Sequence, residues 1–166
     1  LEAFKKIFSK KINTIKIRNH GDYHLGQVLW TGEDFIIIDF EGEPARPFSE
    51  RRLKRNPLRD VAGMIRSLHY AVYDTIKNHQ PDTMEGDAEK WGIRWYNLMS
   101  RVFLDSYRKH MDESEYLPAE EKDFQILLDT FLLEKAIYEL NYEINNRPEW
   151  TGIPLRGIEA LIRDIK

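Results

Sequence analysis

The sequence predicts an α+β fold that is mostly α, with a small β-hairpin followed by a helical bundle. Two short β-prone segments flank a turn at residues 28–38, and beyond residue 60 apolar side chains recur every three or four positions. The 166 residues are enough for one domain and short for two. With 42% hydrophobic and 32% charged residues, the composition is typical of a soluble globular protein.

Composition also excludes several classes of protein. The net charge of -3 argues against a dedicated nucleic-acid surface, which is usually basic. The absence of cysteine excludes disulfides, zinc–thiolate sites and thiol nucleophiles. No apolar run is longer than the four residues of Phe35–Ile38, and no signal-peptide pattern opens the sequence. We therefore expect a cytoplasmic protein that binds neither nucleic acid nor a membrane.

The β-prone part of the chain lies near its beginning. Residues 1–13 are predicted to form a short amphipathic helix, and residues 14–17 favour extended backbone. Two strands are predicted at residues 28–30 and 35–38. The residues between them, Thr-Gly-Glu-Asp, are typical of a hairpin turn.

The remaining chain is predicted to be helical after an irregular, proline-containing segment at residues 41–58. Asp60 is the predicted N-cap of the first long helix. Further helices are expected near residues 85–111, near 119–146 and after Pro154. Apolar rows on two of them comprise Trp91, Trp95, Leu98, Val102 and Phe103, and Leu133, Ile137, Leu140 and Ile144.

Polar residues able to do chemistry concentrate at residues 20–27 and 38–42. Asp22 lies five positions before Gln27, and Asp39 ends a hydrophobic strand shortly afterwards, which is the pattern of a kinase catalytic loop followed by a magnesium-binding Asp. Phosphoryl transfer needs one carboxylate to orient the acceptor hydroxyl and receive its proton. It also needs a carboxamide oxygen and a second carboxylate to hold magnesium against the phosphates.

Simpler explanations and a rival chemistry remain open for these residues. An Asp beside a glycine is usually a turn residue, and Asp39 could merely end a strand. His20 and His24 could be ordinary loop histidines. His20, Asp22, His24, Asp39 and Glu41 are all able to bind a metal, and the segment 21–24 faintly resembles a metallophosphoesterase block. That hydrolase reading is weaker, because a dinuclear site needs further ligand blocks and the remaining histidines lie in or at the end of predicted helices.

The segments 20–27 and 38–42 resemble the aminoglycoside-phosphotransferase-like branch of the protein-kinase superfamily. The segments 43–64, 134–140 and 146–150 make the chain most similar to the maltokinase family within it. That resemblance implies a C-terminal kinase lobe, ATP and Mg2+ as cofactors, and maltose as the acceptor that becomes maltose 1-phosphate. It further implies a parent protein in which this domain is often fused behind a trehalose synthase.

The resemblance also implies individual roles. Asp22 corresponds to the catalytic base, while Gln27 and Asp39 correspond to the ligands of the magnesium that holds the nucleotide. Many relatives have Asn where this chain has Gln27, whose longer side chain shifts the oxygen. Asp60 corresponds to a structural Asp that braces the catalytic loop, His20 is also taken as structural, and His24 is taken as a contact to the acceptor.

One row of the long helix is the candidate acceptor surface. It comprises Phe124, Leu128, Phe131, Lys135, Tyr138 and Tyr142, spaced four or three residues apart. The row turns polar at Lys135, and lysine and tyrosine side chains can hydrogen-bond sugar hydroxyls. The alternative is a core seam whose lysine reaches water and whose tyrosines pack. The family resemblance favours sugar contact for Lys135, Tyr138 and Tyr142.

A nucleotide lid is missing from the sequence. Its nine glycines form neither of the common phosphate-binding patterns, and no β-rich segment precedes Asp22. We therefore expect a separate N-terminal lobe in a longer parent protein and an inactive isolated chain. The alternatives are a docking or regulatory lobe without catalysis and a kinase for another sugar or amino sugar. The basic run between Arg46 and Arg59 is expected to be a solvated loop, with Arg52 and Arg59 as outside candidates for attracting phosphate.

Overall fold

The computed structural model describes residues 11–79, 87–111 and 115–164. Its sheet is one antiparallel hairpin of β1 (Val28–Trp30) and β2 (Phe35–Ile37), with Leu29 paired to Ile36. The turn between the strands is held by Thr31, whose hydroxyl donates to the Asp34 carbonyl and accepts the Asp34 amide, both at 3.0 Å. The predicted hairpin is therefore present.

Five α-helices occupy most of the described chain. They are α1 (Phe48–Arg51), α2 (Leu58–His79), α3 (Asp87–Met111), α4 (Glu121–Asn146) and α5 (Gly152–Asp164). Short 3-10 turns cover Leu25–Gln27 and Pro148–Trp150. The mostly helical α+β architecture agrees with the prediction, as do the four long helices.

The hydrophobic core lies between α2 and α4. These helices bury a repeating set of apolar side chains against each other because both carry such residues every three or four positions. The set comprises Leu58, Val61, Ala62, Ile65, Phe124, Leu128 and Leu132. Helix α3 packs against α2, and α5 packs against α4, so that α2 and α4 form the central layer on which the loops before β1 rest.

Several expectations about the elements need correction. The helix predicted for residues 1–13 falls largely outside the described residues, and residues 11–13 are not helical. The β-prone stretch 14–17 pairs only through a bridge from Ile17 to Arg55. The irregular segment contains the short helix α1. Asp60 does not cap α2: the Asn56 side chain accepts the Leu58 amide at 2.9 Å, and Asp60 lies in the first turn with its carboxylate turned to another segment.

The apolar rows of α3 and α4 also differ from expectation. Trp91, Trp95, Leu98 and Val102 are exposed, because α3 contacts the core through Tyr96, Phe103, Leu104 and Tyr107 instead. On α4, Ile137 and Ile144 are exposed, whereas the row Phe124, Leu128, Leu132 and Ala136 is buried. Each helix carries two apolar rows, and periodicity alone does not say which one meets the core.

The end of α4 is stabilised by a buried carboxylate. Glu143 accepts two hydrogen bonds from the Arg147 guanidinium at 2.9 and 2.7 Å and one from the Tyr70 hydroxyl at 3.1 Å. The Trp150 ring stacks on Tyr70, with centroids 6.5 Å apart. The segment 146–150 thus joins α4 to α2 just before α5.

Candidate active site

The loop that carries Asp22 is anchored to the first turn of α2. The Asp60 carboxylate accepts the His20 amide at 2.7 Å and the Gly21 amide at 3.0 Å. Burial raises the pKa of Asp60, and these two backbone hydrogen bonds act in the opposite direction. Two charge-assisted bonds to adjacent amides leave the loop little freedom to turn. Asp60 therefore lies where it can brace residues 20–22.

Close backbone contacts fix the same loop further. A side chain at Gly63 would place its Cβ 2.6 Å from the Tyr23 carbonyl oxygen, so the loop lies directly on α2. Gly21, with φ of 89°, would place a Cβ 3.2 Å from the Gly42 Cα. The positive φ and the close approach both favour glycine at this position. These contacts bring the segment after β2 beside Asp22.

His20 connects the loop to the end of the hairpin. Its Nε2 lies 2.7 Å from the Ile38 carbonyl oxygen, and its ring packs against Phe40 with centroids 4.9 Å apart. The Asp22 amide lies 3.4 Å from its Nδ1. His20 is buried, and its ring also lies 5.6 Å from the centre of the Tyr23 ring, consistent with a structural role.

Gln27 and Asp39 lie together across the base of the hairpin. The Gln27 Nε2 donates to Asp39 Oδ2 at 3.0 Å, and the Ile38 amide donates to the Gln27 carbonyl at 3.0 Å. Asp39 has φ of 62°, a left-handed conformation that Asp adopts more readily than most residues. The two residues are twelve positions apart in the sequence, and the hairpin between them brings their side chains together.

The donor set of this pair suits a magnesium ion in part. One carboxylate and one amide oxygen are hard ligands, and Mg2+ commonly takes one or two protein oxygens and completes its shell with phosphate and water. Within residues 11–79, 87–111 and 115–164, no group of three or more carboxylates and histidines converges as a metal site. The pair therefore fits a metal that arrives with a phosphorylated ligand rather than a protein-only cage.

Asp22 faces a cleft between the loop and α4. Its Oδ1 lies 3.4 Å from Lys135 Nζ, and its Oδ2 lies 3.7 Å from His24 Nε2. The His24 Nδ1 accepts the Gly26 amide at 3.1 Å, which leaves Nε2 as the ring nitrogen facing Asp22. The structure thus brings together Asp22, His24 and Lys135, which are distant in sequence.

Glu43 and Tyr138 complete this group. Lys135 Nζ lies 3.8 Å from Glu43 Oε2, and its ammonium lies 5.2 Å from the centre of the Tyr138 ring. The pKa of Tyr138 is raised, first by burial and then by its hydrogen bond to Glu43 and the charges of Glu43 and Asp22. Glu43 is a site residue that sequence reasoning missed. Two sequence signals could have indicated it: its position one residue after Gly42, close behind Asp39, and its place at the start of the segment 43–64 that carries the family resemblance.

The basic run is only in part the expected solvated loop: Arg46, Arg51, Arg55 and Arg59 line the wall of the cleft, whereas Arg52 and Lys54 are exposed outside it. Arg59 makes a two-pronged pair with Glu134, with distances of 3.0 and 2.8 Å. Arg46 lies 3.8 Å from both Glu134 and Glu50. Arg51 donates to the backbone carbonyls of Pro44 and Arg46. The guanidinium groups of Arg46, Arg51 and Arg59 therefore each have a protein partner.

Tyr142 is separated from this group. It lies one helical turn beyond Tyr138, its side chain is exposed, and its ring faces Arg147 with the guanidinium carbon 5.5 Å from the centroid. It is not among the described residues that line the cleft. Lys135 and Tyr138 do line the cleft, so only this part of the predicted acceptor row faces it.

No described helix is long and apolar enough to cross a membrane.

The fold is shared with solved sugar kinases. A glucosamine kinase in complex with glucosamine, ADP and inorganic phosphate aligns with a TM-score of 0.73 at 25% identity, covering 87% of this chain and 34% of that one. Another crystal form of a glucosamine kinase aligns with a TM-score of 0.79 at 24% identity, covering 98% of this chain and 38% of that one.

The curated relatives are also named glucosamine kinases. The protein from Streptacidiphilus jiangxiensis is 28% identical over 143 residues, which are 86% of this chain and 31% of the relative. The one from Mycolicibacterium smegmatis is 29% identical over 152 residues, covering 88% and 34%. The chain thus spans about a third of the length of these relatives. No family model matches it.

Proposed function

We propose that the protein containing this chain transfers the terminal phosphate of ATP to a hydroxyl group of a sugar, and that these residues form its C-terminal, acceptor-binding lobe. The observation that carries the proposal is the position of Asp22. Its carboxylate faces the cleft from a loop held by Asp60, and the Gln27–Asp39 pair lies at the base of the adjoining hairpin. The similarity to sugar kinases supports it.

Asp22 is the proposed catalytic base. Its carboxylate would accept a hydrogen bond from the acceptor hydroxyl, orient the oxygen towards the phosphate and take up the proton as the new P–O bond forms. Lys135 keeps this carboxylate in place from α4, and Asp60 keeps its backbone in place from α2. Both anchors act before the substrate arrives, which reduces the reorganisation the reaction needs.

Asp39 and Gln27 are the proposed magnesium ligands. When bound, the ion would neutralise charge on the phosphates. Asp39 offers its carboxylate, and Gln27 offers its amide oxygen once that amide turns away from its present bond to Asp39. The nucleotide also needs groups that cover its phosphates. We propose that these come from other parts of the protein, since the sequence has no glycine-rich phosphate loop and the relatives are about three times as long.

The proposed acceptor is an amino sugar of the glucosamine type, because the relatives and the aligned structures carry that name. Maltose is the second candidate. Its support is the resemblance of the segments 43–64, 134–140 and 146–150 to the maltokinase family. A trehalose synthase fusion partner rests on that resemblance alone.

The test is ADP release by the full-length protein with ATP, Mg2+ and glucosamine, maltose or glucose. We expect turnover with at least one of these sugars. Asp22→Asn should lower kcat by a factor of about 100 to 10,000, the usual contribution of a general base, while leaving the unfolding transition unchanged. Asp74→Asn, an exposed change on α2, is the matched control and should retain full activity.

Retained turnover in Asp22→Asn would remove Asp22 from the role of base. Absence of phosphate transfer to every sugar by the unmodified protein, together with tight binding of another protein, would support the alternative of a docking lobe. Magnesium-dependent nucleotide binding would argue against that alternative.

A further inference from the structure

Two carboxylates in the cleft hold one ammonium group between them. Lys135 Nζ lies 3.4 Å from Asp22 Oδ1 and 3.8 Å from Glu43 Oε2. The side chains are only partly exposed, at 18% for Asp22, 14% for Glu43 and 27% for Lys135. Charges at this depth are less screened than on the open surface. The arrangement is therefore an ammonium-binding site already occupied by a side chain of the protein.

The charges around this site do not cancel. Two carboxylates face one lysine, and His24 is the other basic group within 4 Å of Asp22 among the described residues. The nearby Arg46 and Arg59 do not supply the missing charge at short range, because they are ion-paired to Glu134, and Arg46 also to Glu50. Arg51 also lines the cleft, but its guanidinium donates to the carbonyls of Pro44 and Arg46 and forms no ion pair with Asp22 or Glu43 among the described residues. The group of Asp22, Glu43 and Lys135 thus contains two carboxylates and one ammonium, so it can accept one further cation.

Glu43 is better placed than Asp22 to bind that cation. Asp22 makes the shorter contact with Lys135 and, in the proposed reaction, must receive a hydroxyl proton. Glu43 makes the longer contact, and its carboxylate lies close enough to the Tyr138 hydroxyl to raise the pKa of that group. Its backbone follows Gly42, which lies against Gly21. Glu43 is thus held in position while one of its interactions is weak enough to be replaced.

We propose that Glu43 determines the acceptor by binding the ammonium group of an amino sugar, which replaces the Lys135 ammonium beside Glu43 while Lys135 remains on Asp22. This inference rests on the proposed function and deepens it. The ammonium next to the sugar ring would lie within reach of Glu43 while a neighbouring hydroxyl faces Asp22. A neutral sugar lacks the charge that Glu43 would pair with, so the residue discriminates between sugars with and without an amine.

The test compares glucosamine with glucose in the full-length protein carrying Glu43→Gln, which keeps the size of the side chain and an acceptor for Tyr138. We expect kcat/KM for glucosamine to fall about 100-fold, in the range typical of losing one partner of a partly buried charge pair. The value for glucose should change less than threefold, so the preference for glucosamine should collapse. Glu149→Gln, at an exposed carboxylate that is not among the residues lining the cleft, is the matched control and should keep the preference.

A second variant covers the case in which Glu43→Gln does not fold. Tyr138→Phe keeps the ring over Lys135 but removes the hydroxyl beside Glu43. We expect KM to rise more for glucosamine than for glucose, so that the preference for glucosamine falls several-fold. An unchanged ratio of the two sugars in Tyr138→Phe would then overturn the inference.

The outcomes separate this inference from the proposed function. Failure of the unmodified protein to phosphorylate any sugar would overturn the proposed function itself. Phosphorylation of maltose or glucose but not glucosamine would leave a sugar kinase and overturn the role of Glu43. An equal loss with both sugars in Glu43→Gln would assign Glu43 to maintaining the cleft and not to recognising the amine.

Discussion

Asp60 illustrates how one side chain sets the position of a functional loop. Its two oxygens accept the amides of His20 and Gly21, forty and thirty-nine residues earlier in the chain. An aspartate in the first helical turn would ordinarily serve its own helix. Here the Asn56 side chain accepts the amide of Leu58 at the start of α2. The Asp60 carboxylate is therefore available to bind the neighbouring loop.

We predict that Asp60→Asn destabilises the protein and weakens catalysis more than its stability loss explains. The asparagine amide keeps one acceptor oxygen but places its NH2 group against the second backbone N–H. Losing that charge-assisted hydrogen bond should lower the free energy of unfolding by about 2 kcal/mol. Urea unfolding and ADP release by the full-length protein measure the two effects. An unchanged urea midpoint together with unchanged turnover would show that Asp60 does not brace the loop.

At the scale of the element, the backbone of α2 supports the loop that carries Asp22. Gly63 lies in the second turn of α2, directly beneath the Tyr23 carbonyl. A glycine in a helix interior lowers stability relative to alanine, so its presence needs a compensating interaction. At Gly63 that interaction is the contact with the Tyr23 carbonyl, which a Cβ would prevent.

Gly63→Ala is therefore expected to lower stability by about 1–3 kcal/mol, the usual cost of overpacking, although alanine is the better helix former. It should also displace Asp22 and lower turnover. Gly152→Ala is the matched control, because its Cβ would meet only the flexible end of the Arg156 side chain. Urea unfolding measures the stability of both variants. Equal stabilities would contradict the close contact between Gly63 and the Tyr23 carbonyl.

The contact between α2 and α3 contains a buried histidine. His69 lies between the rings of Tyr73 and Tyr96, and Arg66 Nη1 is 3.1 Å from its Nδ1. Burial lowers the pKa of His69 from 6.5 to about 3, and the charges of Arg66 and Arg156 act in the same direction. The ring is therefore neutral in the folded protein at neutral pH.

Stability is predicted to fall as the pH drops from 6.5 towards 3. The unfolded chain takes up a proton at His69 near pH 6.5, while the folded chain does so only near pH 3, so acid favours unfolding. The full effect is roughly 5 kcal/mol, since one pKa unit corresponds to about 1.4 kcal/mol. Urea unfolding of His69→Gln between pH 7 and 4 should show a flatter profile. His110→Gln, at an exposed position, should retain the original slope.

At the scale of the whole molecule, the β-hairpin presents apolar side chains to solvent. Leu29, Trp30, Phe35, Ile36 and Ile37 are 41–64% exposed. Side chains alternate along each strand, so Leu29 and Ile36 lie on one face of the hairpin and Trp30, Phe35 and Ile37 lie on the other. Exposed apolar side chains on both faces are uncommon on a free-standing soluble domain. This apolar surface adjoins the Gln27–Asp39 pair, because both belong to the same hairpin.

The 166-residue chain on its own is predicted to bind a hydrophobic dye such as ANS through this surface. Replacing Trp30 and Phe35 together by serine should reduce the dye fluorescence severalfold. Because both side chains are exposed, the double substitution should change the free energy of unfolding by no more than about 0.5 kcal/mol, as is usual for surface substitutions. Replacing exposed Trp91 in the same way serves as the control on α3, and undiminished fluorescence in the hairpin variant would contradict the assignment.

Much of the fold follows from local patterns in the sequence. The hairpin is determined by β-branched and aromatic residues around a Thr-Gly-Glu-Asp turn, and the four long helices by apolar periodicity. Local patterns did not decide which apolar row of α3 or α4 is buried, nor that Asn56 rather than Asp60 serves the start of α2. Those choices depend on which neighbouring element lies opposite each face.

For the candidate site, too, some features follow from the sequence and others only from the tertiary structure. The sequence by itself determined the spacing of Asp22, Gln27 and Asp39 on a loop and hairpin, because those residues are close in the chain. Only the tertiary structure decided that Lys135, 113 residues from Asp22, holds that carboxylate, and that Glu43 shares the same lysine. The physical reason is that an ion pair depends on distance in space, which is set here by packing of α4 on α2 and by the approach of Gly42 to Gly21.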